Sequence, residues 1–404
     1  MTARSGRHFL QVPGPTNVPD RVLRAIDNPV IDHRGPDFVV LAKSVIAGLK
    51  RLMRTTGKIL IYPSSGTGAW EAAILNTLSP GDKVLAFETG QFSTLWNVMA
   101  RRHGLEVDFV PGDWRHGVDP AVLEAKLGAD RGHAIKAVMV VHNETSTGVT
   151  SDVAALRKVI DRVRHPALFM VDAISSLCAT DFRMDEWGID VTVVGSQKGL
   201  MLPPGLAFNA VSEKALAAHK TAKLPRGYFE WQPMIDANDS GLYPFTPPIP
   251  LFQGLKASIE MLEEEGLETV FARHARFAEA TRRAVKAWGL DYLSVNPHEA
   301  SNALTAVMMP ESHNADAVRA TILERFDLSL GAGLGKVAGK IFRIGHLGWF
   351  NDLMLMGTLA GVEMGLGAAG VPHRKGGVDA AMDYLSGNTK AAAGEPARAA
   401  AGGR

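Results

Sequence analysis

Residues 191–208 read VTVVGSQKGLMLPPGLAF, and this stretch decides how the rest of the chain is interpreted. The β-branched run that ends at Gly195 is typical of an interior strand. One lysine, Lys198, follows it, and then come Gly199 and a Pro-Pro-Gly sequence. Lysine is rarely buried without a partner. Lys198 is therefore either a side chain that reaches water at a wet strand end or a desolvated amine whose lowered pKa lets it attack a carbonyl.

The run before Lys198 is one of a series that alternates with helical patterns. Earlier apolar runs occupy residues 58–63, 83–88, 105–110, 137–142 and 167–172. Amphipathic patterns lie between several of them, including residues 68–78 and 152–164. Short strands that alternate with helices predict a mostly parallel sheet with helices on both faces. Ligands of such sheets bind at the carboxyl ends of the strands, which is where Lys198 stands.

The pattern changes after about residue 254. Two long amphipathic helices are predicted on either side of Gly266, and strand candidates follow at residues 303–310 and 340–348. His274, within the second helix, has apolar neighbours and is expected to be a packed core histidine. We expect an N-terminal arm (1–20), a large α/β domain (21–254), a smaller α+β domain that includes the linking helix (255–375) and a flexible tail (376–404).

The composition argues against several classes of protein. The net charge of +1 gives no reason to expect nucleic acid or an anionic membrane as a partner. The one cysteine, Cys178, excludes an internal disulfide and a zinc site built from several thiolates, so no metal site is expected. The N-terminal residues have no apolar core of signal-peptide length, and no stretch of the chain approaches the length of a membrane span. We expect a soluble, cytoplasmic protein.

Asp172 closes the apolar run 167–172 and is the second candidate for chemistry. A carboxylate in that position needs a positive or hydrogen-bonding partner, unless it is a helix N-cap or a turn residue. Asp172 and Lys198 end two strands and would face the same edge of the sheet. A carboxylate for a protonated ring nitrogen and a lysine for a Schiff base are the two groups that pyridoxal phosphate requires.

Residues 62–73, YPSSGTGAWEAA, form a third candidate. A strand, small residues and a helix follow one another, so backbone N–H groups and the helix N-terminus could bind a phosphate. The alternative is a plain glycine-rich turn with Thr67 as N-cap, because the glycine spacings of a P-loop and a dinucleotide-binding turn are absent. The other glycine-rich loop, residues 331–339, is not followed by a helix and is interpreted as a connection.

Two more segments carry candidate ligands. The hydroxyls of HNETSTG, residues 142–148, could bond a phenolic oxygen of the cofactor or cap the helix that begins near Asp152. Arg343 is a lone charge in the apolar run KIFRIGHLG. It is either a solvent-facing residue at a sheet edge or a bidentate ligand for a substrate carboxylate.

Together these segments resemble the class V aminotransferases, most closely the members that act on glyoxylate. The resemblance runs from PGPTNVP to about Gly367 and is carried by HRGPDF, SSGTGAWEA, ETGQF, HNETSTG, VDAISS, GSQKGLMLPPG, YPFTPPIP and FRIGHLG, in that order. It implies the aspartate-aminotransferase-like fold (pyridoxal-phosphate fold type I) and transfer of the amino group of serine to glyoxylate, giving hydroxypyruvate and glycine. The alternatives are another small amino donor such as alanine, lyase chemistry, or a non-catalytic α/β binding protein.

The resemblance also implies a role for particular residues. Lys198 would form the Schiff base, Asp172 would pair with the ring nitrogen, and Arg343 would bind the carboxylate of small amino-acid and 2-oxo-acid substrates. Phe92 would stack on the ring, and Thr147 would lie beside its oxygen. The phosphate would be held by Thr67, Gly68, Ala69 (a histidine in alanine–glyoxylate members) and Gln197, with Tyr243 and Thr246 supplied by a second subunit of a homodimer or larger homo-oligomer. Arg34 in HRGPDF is a further cation whose loop could reach the site.

Overall fold

Helices and strands alternate along the first part of the chain, as the apolar pattern predicts. The computed structural model describes residues 6–391 and the side chains of residues 6–387. The strands are β1 (Phe9–Gln11), β2 (Lys58–Ser64), β3 (Lys83–Phe87), β4 (Glu106–Val110), β5 (Ile135–Val141), β6 (Asn143–Glu144), β7 (Val149–Thr150), β8 (Leu168–Asp172), β9 (Val191–Gly195), β10 (Gly205–Val211), β11 (Asp291–Tyr292), β12 (Leu304–Met308), β13 (Leu328–Ala332) and β14 (Ile341–Gly345). The α-helices are α1 (Asp20–Ile26), α2 (Pro36–Met53), α3 (Gly66–Thr77), α4 (Gln91–Arg102), α5 (Pro120–Ala129), α6 (Val153–Arg162), α7 (Glu213–His219), α8 (Trp231–Ser240), α9 (Ile249–Glu265), α10 (Leu267–Ala287), α11 (Ala315–Phe326), α12 (Asp352–Ala368) and α13 (Gly377–Ala391).

The central sheet has seven strands in the order β2-β10-β9-β8-β5-β3-β4. Strand β10 runs antiparallel to both of its neighbours, and the other pairings in this sheet are parallel. All five residues of β8 and of β9 are buried, because helices cover both faces of the sheet. The predicted fold class of the large domain is confirmed. Strand β10 was not predicted, and it begins at the glycine of the Pro-Pro-Gly sequence after Lys198.

The smaller domain is built on a five-stranded sheet in the order β1-β13-β14-β12-β11. Its core includes Phe277, Trp288, Phe342 and Leu355. The sequence patterns located β12 and β14 but missed β13 and helix α11. Strand β1 lies in the segment that we expected to be a separate arm, and it pairs in parallel with β13 instead. The N-terminal segment is therefore part of the small domain's sheet.

Two further expectations about the domains need correction. Helix α9 was assigned to the small domain, but Leu255, Ile259 and Leu262 are buried in the core of the large domain. The large-domain core extends to Val270 in α10, while Phe277 in the same helix belongs to the small-domain core. One face of α9 is covered by helices α1 and α2. The boundary between the two domains therefore lies within α10 and not at residue 255.

The flexible tail expected from residue 376 is wrong for its first part. Helix α13 (Gly377–Ala391) packs on α10 and α12 and buries Ala381 and Leu385. These two residues are four positions apart and share one helix face, a signal that the alanine and glycine content of the segment obscured. The rest of the expected tail, residues 392–404, lies outside the described residues.

Other expectations concern single residues and segments. His274 is a packed core histidine, as predicted: its Nδ1 donates to the Val270 carbonyl at 2.7 Å, and its Nε2 accepts from the Gly348 N–H at 3.0 Å. Cys178 is a buried free thiol. Among residues 6–391 no helix combines the length and the apolar character needed to cross a membrane. The same residues contain no group of His, Cys, Asp and Glu side chains placed to hold a metal ion.

Candidate active site

Lys198 lies in the turn after β9 and is only 7% exposed, which excludes a lysine that reaches water from a wet strand end. Its Nζ donates to the backbone carbonyl of Pro13 at 2.5 Å. Burial and, to a smaller extent, the nearby charge of Arg343 lower the pKa of the amine from 10.5 to about 7, although Asp172 and Glu144 act in the opposite direction. A large fraction of this amine is therefore neutral near pH 7, as a nucleophile or a general base must be.

Asp172 ends β8, the strand beside β9, and is likewise buried. Its Oδ1 accepts the N–H of Ile174 at 2.7 Å, and its Oδ2 accepts the indole N–H of Trp70 at 2.8 Å. A turn follows it, so the alternative of a helix N-cap is excluded. Burial raises the pKa of Asp172 to about 7, although the two hydrogen bonds act in the opposite direction. Such a carboxylate is suited to hold a protonated ring nitrogen.

The N-terminus of α3 forms a third part of the site. The N-cap residue is Ser65 and not Thr67, and no side chain of the described residues caps this helix through a hydrogen bond. A Cβ added at Gly66 would lie 2.3 Å from Ile174 Cδ1, and one added at Gly68 would lie 2.1 Å from Ser64 Oγ. A larger residue at either position would force these side chains to move, and the glycines leave first-turn N–H groups accessible to an anion. Thr67 is exposed at this turn, whereas Ala69 is buried beneath it.

Phe92 lies in the first turn of α4, with its ring 6.3 Å from the ring of Trp70. The backbone N–H groups of Phe92 and Ser93 donate to the carboxylate of Glu144, at 3.3 and 3.1 Å. Glu144 is fully buried and also accepts from the N–H and the hydroxyl of Ser146. The sequence analysis missed Glu144. The argument used for Asp172, a carboxylate next to an apolar strand, could have found it.

Arg343 lies on β14, which is paired on both sides, and its exposed fraction is 7%. It is therefore not a solvent-facing residue at a sheet edge. Its Nε donates to the Ala332 carbonyl and its Nη1 to the Thr145 carbonyl, each at 2.7 Å. Burial lowers the pKa of Arg343 to about 10, so the guanidinium stays charged near neutral pH. Thr147, two residues from Thr145, is buried and donates to the Thr89 carbonyl at 3.3 Å.

The sequence analysis also named Gln197, Tyr243, Thr246 and Arg34, and the structure shows what surrounds each of them. Gln197 precedes Lys198, and its buried Oε1 lacks a hydrogen-bond partner among the described residues. Tyr243 packs against Phe38 and Phe252, and its buried hydroxyl likewise has no partner there. Thr246 and Arg34 are exposed. Within residues 6–387, no hydrogen bond or ring contact joins Tyr243, Thr246 or Arg34 to the cluster around Lys198.

The clustered groups fit pyridoxal phosphate. A desolvated amine can bond the aldehyde carbon, a buried carboxylate can hold the ring nitrogen, and an aromatic ring lies beside them. The uncapped helix N-terminus, with glycines where a Cβ would clash, suits the phosphate. Sequence reasoning had missed two supports of this arrangement, the Trp70 indole and the Pro13 carbonyl.

Comparison with known proteins agrees with this arrangement. The family described as "Aminotransferase class-V" matches residues 8–335. A serine–glyoxylate aminotransferase of Arabidopsis thaliana is 49% identical, over 94% of this chain and 96% of its own. An L-aspartate–glyoxylate aminotransferase of Paracoccus denitrificans is 48% identical, over 94% and 97%. The crystal structure of pyridoxamine–pyruvate aminotransferase from Mesorhizobium loti has a TM-score of 0.89 at 28% identity and covers 95% of this chain and 98% of its own. The chain thus belongs to the class V aminotransferases, enzymes that depend on pyridoxal phosphate.

Proposed function

We propose that this aminotransferase moves the amino group of serine to glyoxylate, giving hydroxypyruvate and glycine. The observation that carries the proposal is the number of buried, positively charged side chains at the site. Among the described residues, the buried lysine and arginine side chains are Lys198 and Arg343. Lys198 is the amine that reacts, so Arg343 remains to bind a carboxylate. A substrate with one carboxylate, such as serine or glyoxylate, is matched by one guanidinium, whereas a second carboxylate would be buried without a partner.

Each clustered residue has a distinct role in this proposal. When bound, pyridoxal phosphate supplies a carbonyl carbon and a conjugated ring that takes up the electron pair of the broken Cα–H bond. Lys198 Nζ accepts the proton from Cα and hands it on. Asp172 keeps the ring nitrogen protonated, and the hydrogen bond from Trp70 lowers the pKa of Asp172 and so favours its ionised form. Phe92 covers the ring face and excludes water.

The remaining candidate residues bind the phosphate and the ring-oxygen side of the cofactor, or the substrate. The first turn of α3, with Thr67, Gly68 and Ala69, binds the phosphate together with Gln197, and Thr147 lies on the side of the ring oxygen. Arg343 orients the substrate, because two of its N–H groups already donate to backbone carbonyls and the remaining N–H groups can donate to a carboxylate.

We further propose that the active unit is a homodimer and that Tyr243 and Thr246 complete the phosphate site of the partner subunit. Thr246 is exposed, and the Tyr243 hydroxyl is buried without a hydrogen-bond partner among the described residues. Both observations suit groups whose ligand belongs to another chain. The cytoplasmic location expected from the sequence remains a prediction.

A second amino donor, aspartate, is favoured by one observation. The relative named L-aspartate–glyoxylate aminotransferase is as similar to this chain as the relative named for serine. Aspartate carries a second carboxylate, and Arg34 is the cation that would have to bind it. Because Arg34 is exposed and outside the cluster, it would act across a subunit contact.

A donor panel separates the two proposals. The catalytic efficiency of the wild type would be measured with serine, alanine, aspartate and glutamate as donors to glyoxylate, beside Arg34→Gln and a control, Arg24→Gln, at another exposed arginine. We expect serine to exceed aspartate and both variants to match the wild type. If aspartate exceeds serine, and Arg34→Gln alone removes that activity, the aspartate proposal is correct and the serine proposal is wrong.

A further inference from the structure

The N-terminal turn, residues 12–16, contacts both ends of Lys198. At the amine end, the Pro13 carbonyl accepts a hydrogen bond from Nζ at 2.5 Å. At the backbone end, the Thr16 hydroxyl donates to the Lys198 carbonyl at 3.1 Å. The Thr16 N–H also donates to the carbonyl of Gln197 at 3.1 Å. Pro13 and Thr16 are themselves buried, so these bonds are made away from water.

Glycines, within the N-terminal turn and in the strands next to it, allow the close contacts that the turn makes. A Cβ at Gly14 would lie 2.4 Å from Lys198 Cδ and 2.5 Å from Nζ, and the φ of Gly14 is +104°. A Cβ at Gly345 would lie 2.3 Å from the Val12 carbonyl oxygen, and one at Gly331 would lie 2.7 Å from Pro13 Cδ. Gly345 belongs to β14, the strand that carries Arg343, and Gly331 belongs to the neighbouring strand β13. The turn therefore runs between the sheet that carries Arg343 and the side chain of Lys198.

We propose that the N-terminal turn positions the free amine of Lys198 for proton transfer. The Pro13 carbonyl binds one N–H whenever the amine is not bonded to the cofactor, and so directs the nitrogen lone pair. As the Cα–H bond of the amino donor breaks, that lone pair forms the new N–H bond, and the electron pair of the broken bond passes to the cofactor. The resulting ammonium binds the carbonyl more strongly than the neutral amine does, because the hydrogen bond becomes charge-assisted.

Pro13 acts through its backbone carbonyl, so a substitution must change the shape of the turn, whereas Thr16 also acts through its side-chain hydroxyl. Gly14→Ala places a methyl group on the lysine side chain. Thr16→Val removes the hydroxyl bond at nearly constant volume, and Thr16→Ser retains it. Gly128→Ala in α5 is the matched control, because a Cβ there meets no atom within 4 Å.

The first measurement needs neither cofactor nor substrate. The full chain without cofactor is treated with acetic anhydride across a pH series, and acetylation of Lys198 is quantified by peptide mass spectrometry. Gly14→Ala should lower the pH midpoint of acetylation by on the order of one unit, because the protonated amine loses its acceptor. Gly128→Ala should match the wild type.

The second measurement uses the loaded enzyme. Gly14→Ala should lower kcat by roughly tenfold, raise the isotope effect with α-deuterated donor and leave KM within about twofold. Thr16→Val should act in the same direction by about threefold, with Thr16→Ser restoring wild-type values. If folded Gly14→Ala has the wild-type midpoint and isotope effect, the proposal is wrong. If Gly14→Ala does not fold, an unchanged Thr16→Val refutes it. Failure of serine as donor would refute only the proposed function, because acetylation requires no substrate.

Discussion

Replacing Trp70 with Phe tests how the site keeps Asp172 ionised. The change removes the indole N–H, which lies 2.8 Å from Asp172 Oδ2, and keeps an aromatic ring. A hydrogen bond to a charged group contributes about 1.5–3 kcal/mol. At 1.36 kcal/mol per pKa unit, its loss should raise the pKa of Asp172 by roughly one to two units. Burial already holds that pKa at about 7, so the variant moves further from the ordinary value of 3.8.

In the proposed site, a more basic Asp172 would compete with the cofactor ring nitrogen for the proton that they share. The ring would then lose the positive charge that lets it accept the electron pair, and we expect kcat to fall roughly tenfold or more. The assay is kcat at saturating serine and glyoxylate, with cofactor content measured by absorbance. Wild-type kcat in Trp70→Phe would mean that ionisation of Asp172 does not depend on this bond.

Trp96 offers a matched control. Its ring stacks on Trp70 at 5.9 Å, with an interplanar angle of 15°, and is also buried, but its indole N–H has no partner among the described residues. Trp96→Phe removes the same atoms from the other half of the stack and should leave kcat within about twofold. Equal losses of kcat in the two variants would show that Trp70 acts through packing alone.

In the chain without cofactor, the pH dependence of folding stability gives an independent measure of the pKa of Asp172. Its folded-state pKa is raised, so its contribution to folding stability is full below the ordinary pKa of 3.8 and is lost as the pH rises to about 7. The loss is on the order of 4 kcal/mol for a shift of this size. Trp70→Phe should extend the decline by about one pH unit or more, as measured by urea unfolding. An identical pH profile in Trp70→Phe and the wild type would contradict the assigned hydrogen bond.

Three further predictions concern other parts of the site. Arg343→Lys keeps the charge but loses the planar fork, and should raise the KM of both substrates roughly tenfold or more with normal cofactor absorbance; a change for one substrate alone would contradict a shared carboxylate site. In the chain without cofactor, the pKa of Lys198 is lowered from 10.5 to about 7, so stability should fall as the pH falls between these values; Lys198→Met should remove that slope in urea unfolding, and equal slopes would count against a buried amine. Mixing inactive Lys198→Ala with an inactive Tyr243/Thr246 double variant should restore part of the activity, because each hybrid dimer has one intact site; no recovery after verified subunit exchange would argue against a shared site.

Local pattern located the parts of the site that belong to strand ends. Apolar runs that alternate with helices predict parallel strands, and the residues after such strands meet at one edge of the sheet. Lys198 and Asp172 were found for this reason. The predicted domain limits were less accurate. Helix α10 contributes to both hydrophobic cores, and the point where it leaves one core and enters the other depends on the elements that pack against it. The amphipathic pattern of the helix is the same on both sides of that point.

The sequence by itself determined the fold class and the family and predicted the reactive lysine and its carboxylate, because each depends on periodicity or on ordered motifs within short segments. Only the tertiary structure decided what surrounds them. The Pro13 carbonyl is 185 residues from the Lys198 amine that it binds, and the Trp70 indole is 102 residues from Asp172. The lowered pKa of the lysine and the raised pKa of the carboxylate follow from burial by many elements at once, and no single stretch of sequence records that burial.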